Sequence, residues 1–164
     1  MKVLFVGDLV GRAGRTILKR QLPRIKEANE IDFTVANVEN AAGGFGLTPG
    51  LADEILDLGV DVMTSGNHIW DRKELYDYFP RQTRLLRPGN YPTGTPGYYK
   101  FVGNDRRGRR IAVMNLQGRV FMPSIDCPFR MAEEEVSKLA ERASAILIDF
   151  HAEATSEKMA MGWY

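Results

Sequence analysis

The amino-acid sequence predicts an α/β fold on three observations. Short apolar, β-branched runs alternate with segments of helical period through the first part of the chain. The connections between these runs are long enough for parallel pairing. Acids, amides and imidazoles stand just beyond the C-terminal ends of the apolar runs, the rim at which open α/β sheets hold their ligands.

Val3 to Val6 is the first such run and predicts a buried strand. Gly11 to Asn29 follows, with Ile17, Leu18, Leu22 and Ile25 at helical spacing and Pro23 inside the pattern, where a kink is expected. Phe33 to Val38 predicts a second strand. Thr48-Pro49 opens the next helix with proline in its first turn. Leu51, Ile55, Leu56 and Leu58 form its core face, Gly59 ends it, and Val60 to Met63 predicts strand three. The pattern then changes. Tyr98 to Val102 and Ile111 to Leu116 flank a turn at Asn104 to Gly108, the signature of an antiparallel hairpin. Met131 to Ala143 is a charged amphipathic helix, Ala145 to Phe150 another strand, and the chain from Ser156 is helical again. No repeat, low-complexity tract or linker interrupts it, so residues 1–164 are expected to form one domain. Met159, Gly162 and Trp163 carry an apolar face to Tyr164 without a cap, and from this the domain is expected to be incomplete at its C-terminus.

A composition of 44% hydrophobic and 26% charged residues is that of a globular protein. Lys and Arg number 22 against 21 Asp and Glu, so bulk charge does not select nucleic acid or a membrane surface, and any preference for anions must be local. The opening apolar run is too short for a signal sequence, and no stretch approaches the roughly 20 apolar residues of a membrane span. A single cysteine, Cys127, permits no intrachain disulfide. A soluble cytoplasmic protein is expected, with Cys127 a small structural residue.

The chemistry gathers at four strand ends. The first strand ends in Gly7-Asp8, the second in Glu39-Asn40; the third leads into Gly66-Asn67-His68 and the late strand into His151. Taken singly, Asp8 or Asn67 reads as a turn former or helix cap, and His68 as a surface histidine. Together they read as one site, because the chain has only two histidines and both directly follow strands. Two nucleotide-loop readings fail: Gly7, Gly11 and Gly14 are spaced G-x-x-x-G-x-x-G rather than G-x-G-x-x-G, and no G-x-x-x-x-G-K-[ST] occurs.

Gly7-Asp8-Leu9-Val10-Gly11, Glu39-Asn40-Ala41-Ala42-Gly43-Gly44, Gly66-Asn67-His68-Ile69-Trp70-Asp71 and Asp149-Phe150-His151-Ala152-Glu153 together resemble the YmdB-type branch of the calcineurin-like metallophosphoesterases, in order and over nearly the whole chain. The resemblance implies a sandwich of two mixed sheets flanked by helices, C-terminally truncated here, and a dinuclear metal-dependent phosphodiesterase with cyclic nucleotides as a plausible substrate class. By similarity, Asp8 and Asn40 ligate one metal, Asn67 and His151 the other, and Glu39 bridges them, while His68 is the general acid. Mixed oxygen and nitrogen donors suit manganese, iron or zinc, with magnesium an alternative. Gly43, Gly44 and Phe45 would form a substrate loop, Phe45 offering its ring to a base or serving as a core or hydrophobic-lid residue. Arg106, Arg107, Arg109 and Arg110 read either as contacts to RNA phosphates or as a solvated turn. Relatives in this branch continue into a Gly-Thr-His-Thr-His-like segment whose histidines complete both metal shells, and this sequence has none. The expectation therefore divides between a phosphodiesterase, self-sufficient or assembled as a homo-oligomer, and an impaired fragment that folds or associates around an incomplete metal site.

Overall fold

The computed structural model describes residues 1–164 and consists of two three-stranded sheets packed face to face. β1 (Val3–Val6), β2 (Phe33–Asn37) and β3 (Val62–Thr64) form a parallel sheet in the order β1-β2-β3. β4 (Lys100–Asn104), β5 (Arg110–Gln117) and β6 (Ala145–His151) form a mixed sheet, with β4 antiparallel and β6 parallel to β5. The helices are α1 (Gly11–Ala28), α2 (Pro49–Asp57), α3 (Pro128–Ala140) and α4 (Thr155–Trp163).

The two-residue side-chain period of the strands explains the layering. Phe33 and Val35 of β2, Val62 of β3, and Ile111 and Val113 of β5 pack with Leu86 between the sheets. The alternate residues face outward. Ala36 and Met63 meet Leu18, Leu22, Ala52 and Ile55 of α1 and α2, while Ala112, Met114 and Leu116 meet Ala132 and Leu139 of α3. Further along the same inward faces the pattern continues into Asn37, Thr64, Asn115 and Asp149, so the space between the sheets turns from apolar to polar at the strands' C-terminal ends. Asn115 spans the gap, its Nδ2 donating to the carbonyls of Ser65 (2.8 Å) and Leu86 (3.1 Å).

Several boundaries differ from the sequence expectation. β3 begins at Val62 rather than Val60, because Asp61 still belongs to the turn whose carboxylate accepts from the Thr34 amide at 2.7 Å. α3 begins at Pro128, three residues before Met131, with proline in its first turn. α1 runs without interruption through Pro23. Residues 67–81, without clear periodicity in the sequence, hold three short 3-10 turns. The arginine-rich hairpin tip is not a free cationic surface: Arg106, Arg107 and Arg109 all close on Asp32, at 3.1, 2.8 and 2.5 Å. No helix is long and apolar enough to cross a membrane.

Candidate metal centre and catalytic cleft

Parallel strand order delivers the site. With β1, β2 and β3 running one way and β6 beside β5, the loops after β1, β2, β3 and β6 emerge at one end of the sandwich. Asp8, Glu39 and His151 line one cleft there, of about 210 Å³, together with Asn37, Asp149 and Lys158. Asp8 has a left-handed backbone (φ 42°), unusual for a residue with a Cβ. It is fixed between the Leu9 amide, which donates to Asn37 O (2.9 Å), and the Gly11 amide, which donates to Asn40 O (2.9 Å).

Glu39 is the centre of the arrangement. Its carboxylate is 3% exposed and accepts the His68 amide on Oε2 at 2.9 Å, while Oε1 lies 3.2 Å from His151 Nε2. The same imidazole nitrogen is 3.2 Å from Asn67 Oδ1. Gly66 makes this approach possible, since a Cβ at that position would lie 2.2 Å from His151 Cδ2. At the other end of the cleft Asn40 Nδ2 donates to Asp8 Oδ1 at 2.8 Å. All five expected metal ligands are thus brought together, in two contacting groups: Asp8 with Asn40, and Glu39 with Asn67 and His151.

Burial sets the electrostatics. It pushes the Glu39 and Asp149 carboxyls above their usual range and the His151 imidazole below its own. The site therefore resists carrying negative charge unless a cation accompanies it. Two further observations fit metal ions. Ligand atoms each about 2.1 Å from one ion and roughly at right angles lie about 3 Å apart, close to the 3.2 Å separations at His151 Nε2. Asn40 Oδ1 is buried with no hydrogen-bond partner, and turning the amide over would set that oxygen beside Asp8 Oδ1, a pairing that a cation would satisfy. Among His, Cys, Asp and Glu alone, no group of three is gathered in a ligand shell. The amides of Asn40 and Asn67 are therefore integral to any shell, and the donor set fits as oxygen-rich half-shells.

His68 stands beside this group on the turn after β3. Its Nδ1 is 2.9 Å from Asp71 Oδ2, one 3-10 turn on. Its ring lies against Phe45, centroids 4.8 Å apart and planes tilted 53°. Phe45 is 60% exposed, so it is not a core residue. Gly43 and Gly44 beside it adopt left-handed backbone (φ 75° and 116°) with open space around them. Arginine side chains hold this loop from below: Arg15 Nη1 donates to Ala41 O, and Arg72 Nη2 to Ala42 O at 3.2 Å.

Four residues in or beside the cleft were not singled out from the sequence, Lys158 among them. Asp149 lies two positions before His151 on β6, hence on the same inward face, and accepts from Asn37 Nδ2 at 3.5 Å. Asn37 Oδ1 in turn accepts the Glu39 amide at 3.3 Å, so the pair braces the loop that carries Glu39. Asp71 is the fourth. The i, i+2 spacing to His151 and the i, i+3 spacing to His68 were the available signals.

Comparison with known proteins identifies the family and the fold. A family model described as YmdB-like protein matches residues 4–164. A Bacillus subtilis (strain 168) protein named 2',3'-cyclic-nucleotide 2'-phosphodiesterase is 46% identical over 168 residues, covering 100% of this chain and 62% of its own length. Among solved structures, a hypothetical protein from Thermus thermophilus superposes with a TM-score of 0.91 at 38% identity, over 100% of this chain and 63% of that one. A Mycoplasma pneumoniae protein described as a novel phosphatase gives 0.89 at 31%, over 99% and 59%. The chain thus spans about three-fifths of the length of these relatives.

Proposed function

The chain belongs to the YmdB-like protein family, and from that membership and the cleft's geometry we propose that it is a metal-dependent phosphodiesterase acting on nucleotides, 2',3'-cyclic nucleotides foremost. The observation that carries the proposal is the convergence on Glu39, a buried carboxylate in contact with the His68 amide and the His151 ring from loops far apart in the chain. The relative's name supports the substrate class.

Asp8 and Asn40 would hold one divalent ion and Asn67 and His151 a second, with Glu39 between them. Manganese, iron or zinc suits the mixed donors. Such ions, when bound, supply positive charge that stabilises the charge developing on the phosphoryl oxygens. The chain's own residues do the rest. In the hydrolysis a water oxygen forms a bond to phosphorus, giving up a proton to solvent, and the bond from phosphorus to a ribose oxygen breaks. That oxygen leaves with an electron pair and needs a proton. His68 would give it: the contact of Asp71 with Nδ1 supports this reading, since it fixes the ring and leaves Nε2 to donate. Phe45, packed on the His68 ring and exposed on its other side, offers a stacking face to the base.

Hydrolysis of bis-p-nitrophenyl phosphate with added manganese, followed across a series of protein concentrations, tests the reading. Turnover linear in protein supports a self-sufficient site, and a steeper dependence supports copies that assemble to complete it. No turnover would overturn the proposal and leave a chain that folds around an incomplete metal site.

A further inference from the structure

Three non-glycine residues have left-handed backbone: Asp8 (φ 42°), Glu30 (φ 52°) and Phe121 (φ 62°). Two have an evident reason. Asp8 is in the cleft. Glu30 follows Asn29 at the end of α1, where a left-handed residue commonly stops a helix, and its carboxylate pairs with Lys2 at 3.1 Å. Phe121 has neither explanation. It is the third residue of the turn Arg119–Met122, closed by the Met122 amide on Arg119 O at 3.3 Å, and positive φ at that place calls for glycine or asparagine. Its side chain is 88% exposed, so burial returns nothing for the strained backbone. Strained backbone without a packing benefit clusters at ligand-contacting sites.

The turn is firmly fixed to the site. Glu157 of α4, itself 8% exposed, accepts the amides of Arg119 (2.9 Å) and Val120 (3.2 Å). The Gly118 amide donates to His151 O at 2.8 Å. A Cβ on Gly118 would fall 2.7 Å from Ala152 Cβ, so the turn lies flush against the strand end that carries His151. Cations accompany the ring: Arg119 belongs to the same turn, and Lys158, next to Glu157, lines the cleft with Asp8 and Glu39. The loop after β2, in the facing sheet, carries another exposed ring, Phe45, and is itself bonded by Arg15 to Ala41 O and by Arg72 to Ala42 O.

We propose that Phe121 is a second base-stacking surface, and that the cleft takes a single-stranded oligonucleotide whose chain passes across the site from Phe45 to Phe121. This rests on the phosphodiesterase reading and extends it from a mononucleotide to a strand. Rings interleaved with cations are the pattern that grips single strands, the cations meeting phosphates and the rings accepting any base. A protein partner is the poorer match, because a stable interface covers about 800 Å² on each side and the exposed apolar surface of this narrow turn is confined to Val120 and Phe121.

Anisotropy of fluorescein-labelled hexaadenylate in manganese buffer, with AMP as competitor, provides the test. Phe121→Gly suits the left-handed backbone, so its thermal midpoint should not fall, while hexaadenylate affinity should drop about thirtyfold, the middle of the range for one lost stack. The preference for hexaadenylate over AMP should shrink by the same factor, and Phe121→Trp should keep the affinity. Unchanged hexaadenylate binding in Phe121→Gly overturns the proposal, as does an equal loss for hexaadenylate and AMP. Loss of self-association on sedimentation with RNA binding intact also overturns it and assigns the ring to a protein contact. The phosphodiesterase reading is scored separately, on bis-p-nitrophenyl phosphate turnover by the unaltered chain, so the two can fail independently.

Discussion

Gly66 carries no side chain because His151 occupies the space one would take, 2.2 Å from the position of a Cβ. Alanine there must push the imidazole away from Asn67 and Glu39. The expected result is a loss of about 10²-fold in phosphodiester hydrolysis, the scale that follows from moving a positioned group by about 1 Å. Manganese affinity measured by isothermal titration should fall with it; unchanged affinity would show that His151 does not bind the ion. Asp71 makes a different kind of contribution. Its side-chain hydrogen bond is to His68 Nδ1, so Asp71→Asn should lower kcat by about 10²-fold, within the range of a positioned proton donor, and leave KM and manganese affinity unaltered. His68 was evident from the sequence because a histidine directly after a strand is conspicuous. Asp71 was not, because an acid in an aperiodic segment reads as surface until the 3-10 turn brings it back to the ring.

At the scale of elements, the β4–β5 hairpin is anchored to the first sheet through Asp32, which precedes β2. Asp32 accepts the Lys2 amide at 2.8 Å and the guanidinium groups of Arg106, Arg107 and Arg109. The Lys2 amide first, then the Arg109 and Arg106 side chains, hold its carboxyl well below the usual carboxylate range. The sign follows from the linkage. An acid with a lowered folded-state pKa stabilises the fold at pH values above its unfolded pKa, about 4, and that stabilisation is lost as pH falls through the folded value. Thermal midpoints measured downward from about pH 5 should therefore fall more steeply for the natural chain than for Asp32→Asn, which is less stable at neutral pH. Parallel curves would show that the arginines do not depend on that charge. The strands were legible one by one, since Val3–Val6, Phe33–Asn37 and Ala145–His151 are continuous or near-continuous apolar runs. The anchor was not. Asp32 is separated from its arginines by more than 70 residues, and no local periodicity encodes a pairing at that range. The same arginines, read locally, suggested a phosphate-binding tip or a solvated turn.

Over the whole molecule, the decisive property is buried charge held between two sheets. Burial raises the Glu39 and Asp149 carboxyls, so each costs stability as pH rises from its unfolded pKa towards its folded one. Burial lowers the His151 imidazole, so it costs stability in the opposite direction, as pH falls through about 6.5. A metal-free chain cannot relieve both at one pH, whereas a divalent cation would, by pairing with the carboxylates and accepting the lone pair of the neutral imidazole. At the proposed site protons and metal ions would then compete for the same atoms. Manganese should accordingly raise the thermal midpoint more at about pH 8 than at about pH 5.5. At 100 times its dissociation constant it would add about 2.7 kcal/mol, a rise of roughly 5–11 °C for a chain of this size. Glu39→Gln should remove most of the rise, while Asp149→Asn, which acts through Asn37 and the Glu39 loop, should reduce it. A manganese shift of equal size at both pH values, measured by scanning fluorimetry, would mean that the ion binds somewhere other than this polar layer. The strand ends alone pointed to where such a layer would lie, but its depth depends on how Asn37 and Asp149 meet across the sheets, a contact between residues 112 positions apart that only the packed sandwich creates.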